Sequence, residues 1–290
     1  MKLSPRRIRA FQEIIFDFYR RNGRQLPWRE TRDPRDPYKI LVSEIMLQQT
    51  GVSRVIPFYK RFTRVFPSVR ALAHAPARAV LRAWSGLGYN RRALFLMRAA
   101  EIIVREHNGI VPRDAKKLDA LPGIGANTAG AILAYAWNEP VAFVETNIRT
   151  VFLHFFFKDE KKVKDEEILK TVRQTLPTKV RTPLNPPSQE GGGKITMREW
   201  YSALMDYGAM LKEIVGNQNA RSAHYAKQAK FAGSRRELRG AIVRRAAQKR
   251  KVRTADFAAS ARRGLPVRKI FHALVAEGFL QKEGREFTLA

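Results

Sequence analysis

The sequence predicts an all-α protein with a distinct basic C-terminal domain. Apolar residues recur at helical spacing through most of the first 219 residues, and strand-like alternation is nearly absent before residue 278. From residue 220 to 290 the composition changes, with 18 Lys and Arg against 5 Asp and Glu. A chain of 290 residues that is 44% hydrophobic can bury about two cores. We therefore predict one helical domain over residues 1–219 and a second over 220–290.

The first predicted helix covers residues 7–21, whose apolar residues form one stripe: Ile8, Phe11, Ile14, Ile15 and Phe18. The segment 26–29 (LPWR) ends this pattern because its proline cannot continue a helix. Asp36 followed by Pro37 is a helix start signal, and it predicts a helix over residues 37–50.

Further helical patterns follow along the chain at residues 57–66, 76–85, 90–108, 115–121, 126–137, 146–157, 165–176 and 197–212. The segment 182–194 (TPLNPPSQEGGGK) has no pattern that could bury a face. It predicts a flexible insertion at about residues 180–195.

The C-terminal residues predict three helices, at 234–249, 254–259 and 265–277. Ser234 with Glu237 three residues later indicates a capping box, and Glu283-Gly284 between two short strand patterns indicates a hairpin. Three helices and a hairpin are typical of a winged helix, whose third helix would offer Arg268 and Lys269 to a DNA groove. The alternative is a small basic domain that only extends the core.

Composition narrows the classes of function. A net charge of +29 favours a polyanionic partner, most commonly nucleic acid. The absence of cysteine excludes disulfides, thiolate zinc sites and Cys-ligated iron–sulfur clusters, and the five histidines have no metal-ligand spacing. We expect no metal and no cofactor. With no signal-type or membrane-spanning pattern, we expect a cytoplasmic, nucleoid-associated monomer.

Glu44 lies in residues 43–50 (SEIMLQQT), on a helix whose neighbours are mainly apolar. Partial burial raises the pKa of a carboxyl group, so that it can hold a proton near neutral pH and deliver it to a substrate. A surface glutamate, or a buried one that is merely hydrogen-bonded, is the structural alternative.

Residues 121–125 (LPGIG) stand between two predicted helices. Glycines at 123 and 125 permit a tight turn and a close approach of backbone N–H groups to a phosphate, and the following helix N-terminus adds positive dipole. Such contacts position DNA without reading its sequence. An ordinary connection between helices would also use glycine and proline.

Glu145 lies 20 residues beyond Gly125, at the start of a predicted helix. A carboxylate there could stabilise positive charge that develops on a sugar. It could equally serve as an acid at a helix N-terminus, where the dipole favours it.

The combination of motifs resembles the helix–hairpin–helix DNA glycosylases, and within them the A/G-mismatch adenine glycosylases (the MutY type). The resemblance covers about residues 26–151 and is weaker to about 212. It rests on residues 26–29 (LPWR), 36–39 (DPYK), 43–50, 86–89 (GLGY), 121–125, 128–132 (TAGAI) and on Asn147.

The resemblance implies a two-lobed helical fold that binds mismatched double-stranded DNA in a cleft and flips adenine out of the stack. Glu44 matches the proton donor, and Glu145 matches the carboxylate that stabilises the sugar cation. The other implied DNA and substrate contacts are Trp28, Arg29 and Leu47 around the adenine, Gln49 and Tyr89 near the lesion, Gly123 and Gly125 at the phosphate, and Asn147 beside the second carboxylate. Gln48 and Asn127 are further expected contacts. We expect base excision repair chemistry that removes adenine opposite 8-oxoguanine or G.

Three departures from the family stand out. Glu145 replaces an aspartate. Asn127 replaces the catalytic lysine of the related endonuclease III type, and an amide cannot form a Schiff base, so no lyase activity is expected. Leu211 stands where the first cluster cysteine would follow residues 206–210 (DYGAM), so a clusterless member is expected. The alternatives are a glycosylase for T or U opposite G or for a damaged base, and a non-catalytic sensor of distorted DNA.

Overall fold

The computed structural model describes residues 2–29, 36–177, 195–227, 230–249 and 251–290. The predicted insertion lies outside the described residues except for Ile195, which is buried. The all-α class is confirmed, and the strands in the described residues form one short hairpin. Across the described ranges, no helix combines the length and the apolar character that a membrane crossing requires.

The helices of the described residues, in chain order, are α1 (Pro5–Asn22), α2 (Pro37–Leu47), α3 (Val52–Val65), α4 (Val69–Ala73), α5 (Ala77–Trp84), α6 (Arg91–Glu106), α7 (Ala115–Asp119), α8 (Ala126–Trp137), α9 (Thr146–Phe156), α10 (Asp165–Thr175), α11 (Met197–Ile214), α12 (Arg235–Gln248), α13 (Ala258–Arg262) and α14 (Val267–Ala276). The strands are β1 (Leu280–Glu283) and β2 (Glu286–Leu289), and 3₁₀ turns cover Gln218–Arg221 and Thr254–Phe257.

The chain divides into two compact units that are each discontinuous in sequence. The first unit holds Met1–Ile40, Arg113–Ala120 and Ile124–Lys227. The second holds Leu41–Pro112, Leu121–Gly123 and Gln228–Ala290. The basic C-terminal residues from 228 onward thus group with helices α3 to α6. The predicted domain boundary between residues 219 and 220 stays a prediction.

The core of the first unit is aromatic and is built where α1, α9 and α11 pack against one another. Phe11 of α1 makes edge-to-face contacts with Phe152 and Phe156 of α9 and with Trp200 of α11, at centroid distances of 4.9–5.8 Å. Such pairs add to the free energy gained by burying their large apolar surfaces. This core fixes α9 and α11, which carry the candidate residues described below.

The apolar stripe predicted for α1 was wrong at Ile14, which is 44% exposed. The buried face is centred on Phe11, Gln12, Ile15 and Phe16 instead. At 100° per residue, Ile14 lies about 130° from the middle of that face. Gln12 takes an inward position because its amide donates to the Thr175 carbonyl at 2.9 Å.

In the second unit, helices α3 to α6 form a compact group with α4 and α5 packed on α6. Helix α3 begins at Val52, five residues before the predicted start, and contains Pro57 in its second turn. The apolar face of Val55, Tyr59 and Phe62 is fully buried and holds the helix together across the missing proline N–H. The short α4 was not predicted, although Ser68 caps it by accepting from the Ala71 N–H.

The C-terminal part has the predicted sequence of helices and hairpin. Helices α12 and α14 pack together, and α12 also packs on α5. Ser234 caps α12 as predicted, accepting from the Glu237 N–H at 3.2 Å. Leu280 pairs with Leu289 at the open end of the hairpin, and the turn uses Gly284 at a φ of 62°. The predicted order of helices followed by a hairpin is therefore confirmed. The interpretation of these elements as a winged helix stays a prediction.

Candidate functional site

Glu44 lies on α2 among side chains that are almost fully buried. Leu41 and Met46 are 0% exposed and Ile45 is 1% exposed, whereas Glu44 itself has intermediate exposure. Asp36 begins this helix as predicted, with Oδ1 accepting from the Tyr38 and Lys39 N–H groups. Glu44 therefore lies at the edge of an apolar core and is partly accessible. Its role as proton donor stays a prediction.

Helix α2 ends at Leu47, earlier than predicted, because Gln49 adopts a left-handed backbone with φ of 54°. The guanidinium of Arg92 satisfies the carbonyls exposed at this end. It donates to the Ile45 and Met46 carbonyls at 2.8 Å each, and to the Gln48 carbonyl. A cation at a helix C-terminus also interacts favourably with the dipole.

Arg92 is a residue that the sequence analysis missed. It is 8% exposed, and burial lowers its pKa to about 10, so that it stays charged at neutral pH. Its second nitrogen donates to Thr50 Oγ1 at 2.9 Å and to the Gly88 carbonyl at 3.3 Å. Arg92 therefore ties the Gln48–Thr50 turn to the Gly88–Tyr89 turn. In the sequence, nothing separates it from its exposed neighbour Arg91.

The segment 86–89 forms a turn that presents Tyr89 to solvent. Gly86 and Gly88 have φ of 101° and 94°, where a side chain would be strained, and Tyr89 itself has φ of 47°. Trp84 Nε1 donates to the Gly88 carbonyl at 3.0 Å and fixes the turn from below. The strained backbone leaves the Tyr89 side chain 41% exposed.

The turn at residues 121–125 has the geometry expected from its glycines. Gly123 has φ of 79°, and a β-carbon there would lie 2.9 Å from Cβ of Phe95. The Gly123 carbonyl accepts from Gln48 Nε2 at 3.1 Å. Gly125 is the N-cap of α8, and a β-carbon there would meet nothing within 4 Å in the described residues. The N-terminus of α8 is thus open to a phosphate.

In the second unit, four of the predicted DNA contacts line one groove of about 970 Å³: Gln48, Gln49, Tyr89 and Gly123. Leu47, at the end of α2, has intermediate exposure. Residues of α12 also line this groove, and the sequence analysis did not assign them to the site.

In the first unit, Glu145 is the N-cap of α9. Its Oε1 accepts from the Asn147 N–H at 2.7 Å and from the Ile148 N–H at 3.0 Å. Burial raises the pKa of Glu145, and the hydrogen bonds from the backbone and the charge of Arg149 offset only part of that effect. Glu145 therefore caps α9, which is the structural alternative named in the sequence analysis. The same carboxyl group also has a raised pKa.

Asn127 holds the extended segment that leads to Glu145. Its Oδ1 accepts from the Val144 N–H at 3.1 Å. Asn127, which stands where the endonuclease III type carries a catalytic lysine, thus makes a structural contact with the segment before Glu145. Asn147 follows the cap on α9, and its backbone oxygen lies close to Gly208 of α11, where a β-carbon would come within 2.4 Å. This close approach of α9 and α11 requires glycine.

Trp28 and Arg29 lie in the first unit, at the turn after α1. Trp28 is 7% exposed. The Arg29 guanidinium forms a two-pronged ion pair with Asp206 of α11, with both N–O distances at 2.9 Å. Arg24 adds its backbone N–H and its Nε to the same carboxylate, each at 2.8 Å.

Asp206 is the second residue that the sequence analysis missed as part of the site. Burial acts to raise its pKa, but the hydrogen bonds and charge of Arg29 outweigh burial and hold the pKa below its usual value. The signal was available, because Asp206 is the one acidic residue in the otherwise apolar run 200–211 (WYSALMDYGAML). A lone carboxylate at a buried helix position predicts a charged partner.

The two predicted catalytic carboxylates thus stand on different units, Glu44 on the second and Glu145 on the first. Their roles stay predictions. Among the described residues no group of three His, Asp or Glu side chains is placed to hold a metal ion.

Comparison with known protein families finds a match for residues 42–177. The model of the HhH-GPD superfamily of base excision DNA repair proteins matches residues 42–177, which include Glu44, the 121–125 turn and Glu145. The chain carries an HhH-GPD domain. The resemblance predicted from the motifs is therefore confirmed.

Two adenine DNA glycosylases are similar to this chain. That of Mycobacterium tuberculosis is 46% identical over 137 residues, and that of Buchnera aphidicola subsp. Baizongia pistaciae is 38% identical over 170 residues. The matches cover 47% and 58% of this chain, and 44% and 48% of those proteins. The chain thus spans about half the length of the curated relatives that it matches.

Two solved structures share the fold. A thermostable thymine-DNA glycosylase aligns with a TM-score of 0.57 at 25% identity, over 71% of this chain and 87% of its own. An endonuclease III bound non-covalently to DNA aligns with a TM-score of 0.51 at 20% identity, over 72% and 86%. The HhH-GPD fold is therefore confirmed by structure as well as by sequence.

Replacing Glu145 with glutamine is expected to raise thermal stability at pH 7. The pKa of Glu145 is raised in the folded protein, so ionising this group costs stability as pH rises through that pKa. A glutamine side chain at this position would keep an oxygen to accept from the Asn147 and Ile148 N–H groups without the buried charge. Thermal unfolding followed from pH 4 to pH 8 should show a higher Tm for Glu145→Gln at pH 7 and a gap that narrows toward pH 4.

Glu145→Ala is the matched control, because it removes the charge and the cap together. It should be less stable than Glu145→Gln by about 1 kcal/mol, the usual value of a helix N-cap. If both variants are less stable than the parent protein at pH 7, then the carboxylate is net stabilising and the burial argument is wrong.

Proposed function

We propose that this protein is a monofunctional DNA glycosylase that removes adenine mispaired with 8-oxoguanine or G, acting as a monomer on double-stranded DNA in the nucleoid. The observation that carries the proposal is the half-buried Glu44 on an apolar α2, inside the HhH-GPD match. The identity to adenine DNA glycosylases supports adenine as the base. No metal and no cofactor take part in the proposed chemistry.

The proposed reaction needs one acid and one ionised carboxylate. Glu44 transfers its proton to the adenine ring, and the bond between C1′ and the base nitrogen breaks with its electron pair on the base. Positive charge develops on the sugar and is stabilised by ionised Glu145. Water then adds to C1′ and loses a proton, which restores the acid. The products are free adenine and an abasic site.

The absence of lyase activity is part of the proposal. A Schiff base requires an amine, and position 127 carries an amide whose oxygen accepts from the Val144 N–H. We therefore propose that the strand stays intact after the base has left. Borohydride treatment during the reaction should trap no covalent protein–DNA adduct.

A base-release assay tests the proposed function. Duplexes with A opposite 8-oxoguanine, A opposite G, T opposite G and U opposite G are incubated with the protein, and released bases are separated and identified by mass. We expect adenine from the first two duplexes and no base from the others. Release of thymine or uracil without adenine would contradict the adenine proposal and favour the thymine class that the structural similarity also includes.

A further inference from the structure

The groove of the second unit is lined partly by residues that the proposed function leaves unused. Gln49 and Tyr89, which are predicted DNA contacts, belong to its lining. Phe231 and three residues of α12, namely Arg236, Gly240 and Arg244, belong to the same lining. With a volume of about 970 Å³ the groove is at the upper end of the range for ligand sites. This volume can hold several groups of a polymer chain, and the charge and the exposed rings of the lining decide which ligand it favours.

The charge of the groove favours a polyanion. Among the described residues that line it there are six arginines and a single acidic residue, Glu277. That carboxylate pairs with Arg91 and with Arg239, at 2.7 Å in both cases, and so ties α14 and α12 to the start of α6. Glu277 therefore links α6, α12 and α14 at the groove, and the net charge of the lining stays strongly positive.

Two exposed aromatic rings make the groove suitable for bases as well as for phosphates. Tyr89 is 41% exposed and Phe231 is 59% exposed, and both line the groove. Exposed aromatic rings beside arginines are the arrangement with which proteins bind single strands, because every base can stack on a ring. An acidic peptide would use the arginines but would gain little from the rings.

Gly240 is the third observation. It lies in the middle of α12, where glycine weakens a helix, and a β-carbon there would meet no atom of the described residues within 4 Å. Neither backbone conformation nor internal packing requires glycine at this position. Glycine that lines a groove without a structural need permits the close approach of a bound backbone.

We propose that this groove binds a DNA strand with unpaired bases, and that α12 rather than α14 is the DNA-contacting helix of the C-terminal domain. The arginines of α12 contact phosphates, Tyr89 and Phe231 stack on bases, and the strand passes over Gly240. The inference rests on the proposed function only in that the protein acts on DNA. It adds a strand-binding surface that reaches beyond the HhH-GPD match.

Filling the groove at Gly240 is the first test. The probe is a labelled oligo(dT) of 12 nucleotides, which contains no adenine. The dissociation constant of its complex with the protein is measured by fluorescence anisotropy. Gly240→Leu should raise that constant at least tenfold, whereas the control Gly240→Ala should change it less than threefold. Both variants should unfold at a higher temperature than the parent protein, because Leu and Ala are better helix formers than glycine. Unchanged affinity in Gly240→Leu would overturn the proposal.

Charge removal in matched pairs decides between α12 and α14. Arg236→Ala with Arg244→Ala removes two charges from the groove, and Arg268→Ala with Lys269→Ala removes two exposed charges from α14. The groove pair should lower the slope of log affinity against log salt by about 1.4, at about 0.7 per phosphate contact of a single strand. The α14 pair should leave the slope unchanged. The reverse result would overturn the proposal in favour of the winged-helix interpretation.

A 12-nucleotide strand without bases keeps the phosphates of oligo(dT) but cannot stack. Comparing the two strands therefore separates the contribution of base stacking from that of phosphate charge. Phe231→Ala should weaken binding of oligo(dT) several-fold and leave binding of the abasic strand unchanged. Equal loss for both strands would overturn the stacking role. These measurements need no base excision, so the two proposals can fail separately. If no adenine is released but Gly240→Leu weakens oligo(dT) binding as expected, only the proposed function is refuted. If adenine is released but Gly240→Leu binds oligo(dT) normally, only the proposed strand-binding groove is refuted.

Discussion

Replacing Glu44 with glutamine is expected to lower the rate of adenine excision about 10²–10⁴-fold, the usual contribution of a general acid. Glutamine has nearly the same shape but cannot give up a proton to the base. Because the packing around residue 44 is set by Leu41, Ile45 and Met46, the fold should be unaffected. Single-turnover excision at saturating protein measures the chemical step, and fluorescence anisotropy measures DNA affinity, which should stay within a few-fold.

The control for this variant is Glu101→Gln on α6, another glutamate of intermediate exposure in the same unit. It should leave excision unchanged. A Glu44→Gln variant that excises adenine at the parent rate would contradict the role of Glu44 as proton donor. If the parent protein binds mismatched DNA but releases no base, and Glu44→Gln has no effect, then the sensor hypothesis is favoured.

Replacing Asp206 with asparagine is expected to destabilise the protein by about 3–5 kcal/mol, the cost of breaking a buried ion pair by removing one partner. Asp206 is 3% exposed and receives donors from both Arg24 and Arg29. An amide would leave the Arg29 guanidinium buried with no negative charge beside it. Urea unfolding followed by tryptophan fluorescence at pH 7 measures the difference in the free energy of unfolding.

The pH dependence identifies the charge as the cause. The pKa of Asp206 is held below its usual value, so its contribution to stability is present above the unfolded pKa and is lost as pH falls through the folded pKa. The difference between parent and Asp206→Asn should therefore be constant from pH 5 to pH 8 and shrink below about pH 4. Asp17→Asn, which removes an exposed ion pair with Arg20, is the control and should cost about 1 kcal/mol or less. Equal losses in the two variants would contradict the argument.

Arg29 connects this stability prediction to function. The resemblance assigns Arg29 to the adenine pocket, and the structure shows its guanidinium held in a fixed plane by Asp206. A bidentate pair fixes orientation as well as charge. Asp206, in the segment that the resemblance places before the family's iron–sulfur loop, therefore orients the side chain of a predicted substrate contact.

The sequence by itself determined the helical class, the start of α2 at Asp36, the cap of α12 at Ser234 and the hairpin around Gly284. These features depend on local chemistry, namely side-chain oxygens that accept from helix N–H groups and glycine that permits positive φ. The motifs also pointed to the HhH-GPD domain that matches residues 42–177, because glycines such as Gly86, Gly88 and Gly123 mark turns with positive φ.

Only the tertiary structure decided the contacts of Arg92 and Asp206. Arg92 is buried and its neighbour Arg91 is exposed, although the two are equivalent in sequence. The Ile45 and Met46 carbonyls that Arg92 satisfies belong to α2, more than 40 residues away along the chain, and Asp206 meets Arg29 across 177 residues. Contacts over such separations depend on how helices pack, and packing is determined by the whole core rather than by any local pattern.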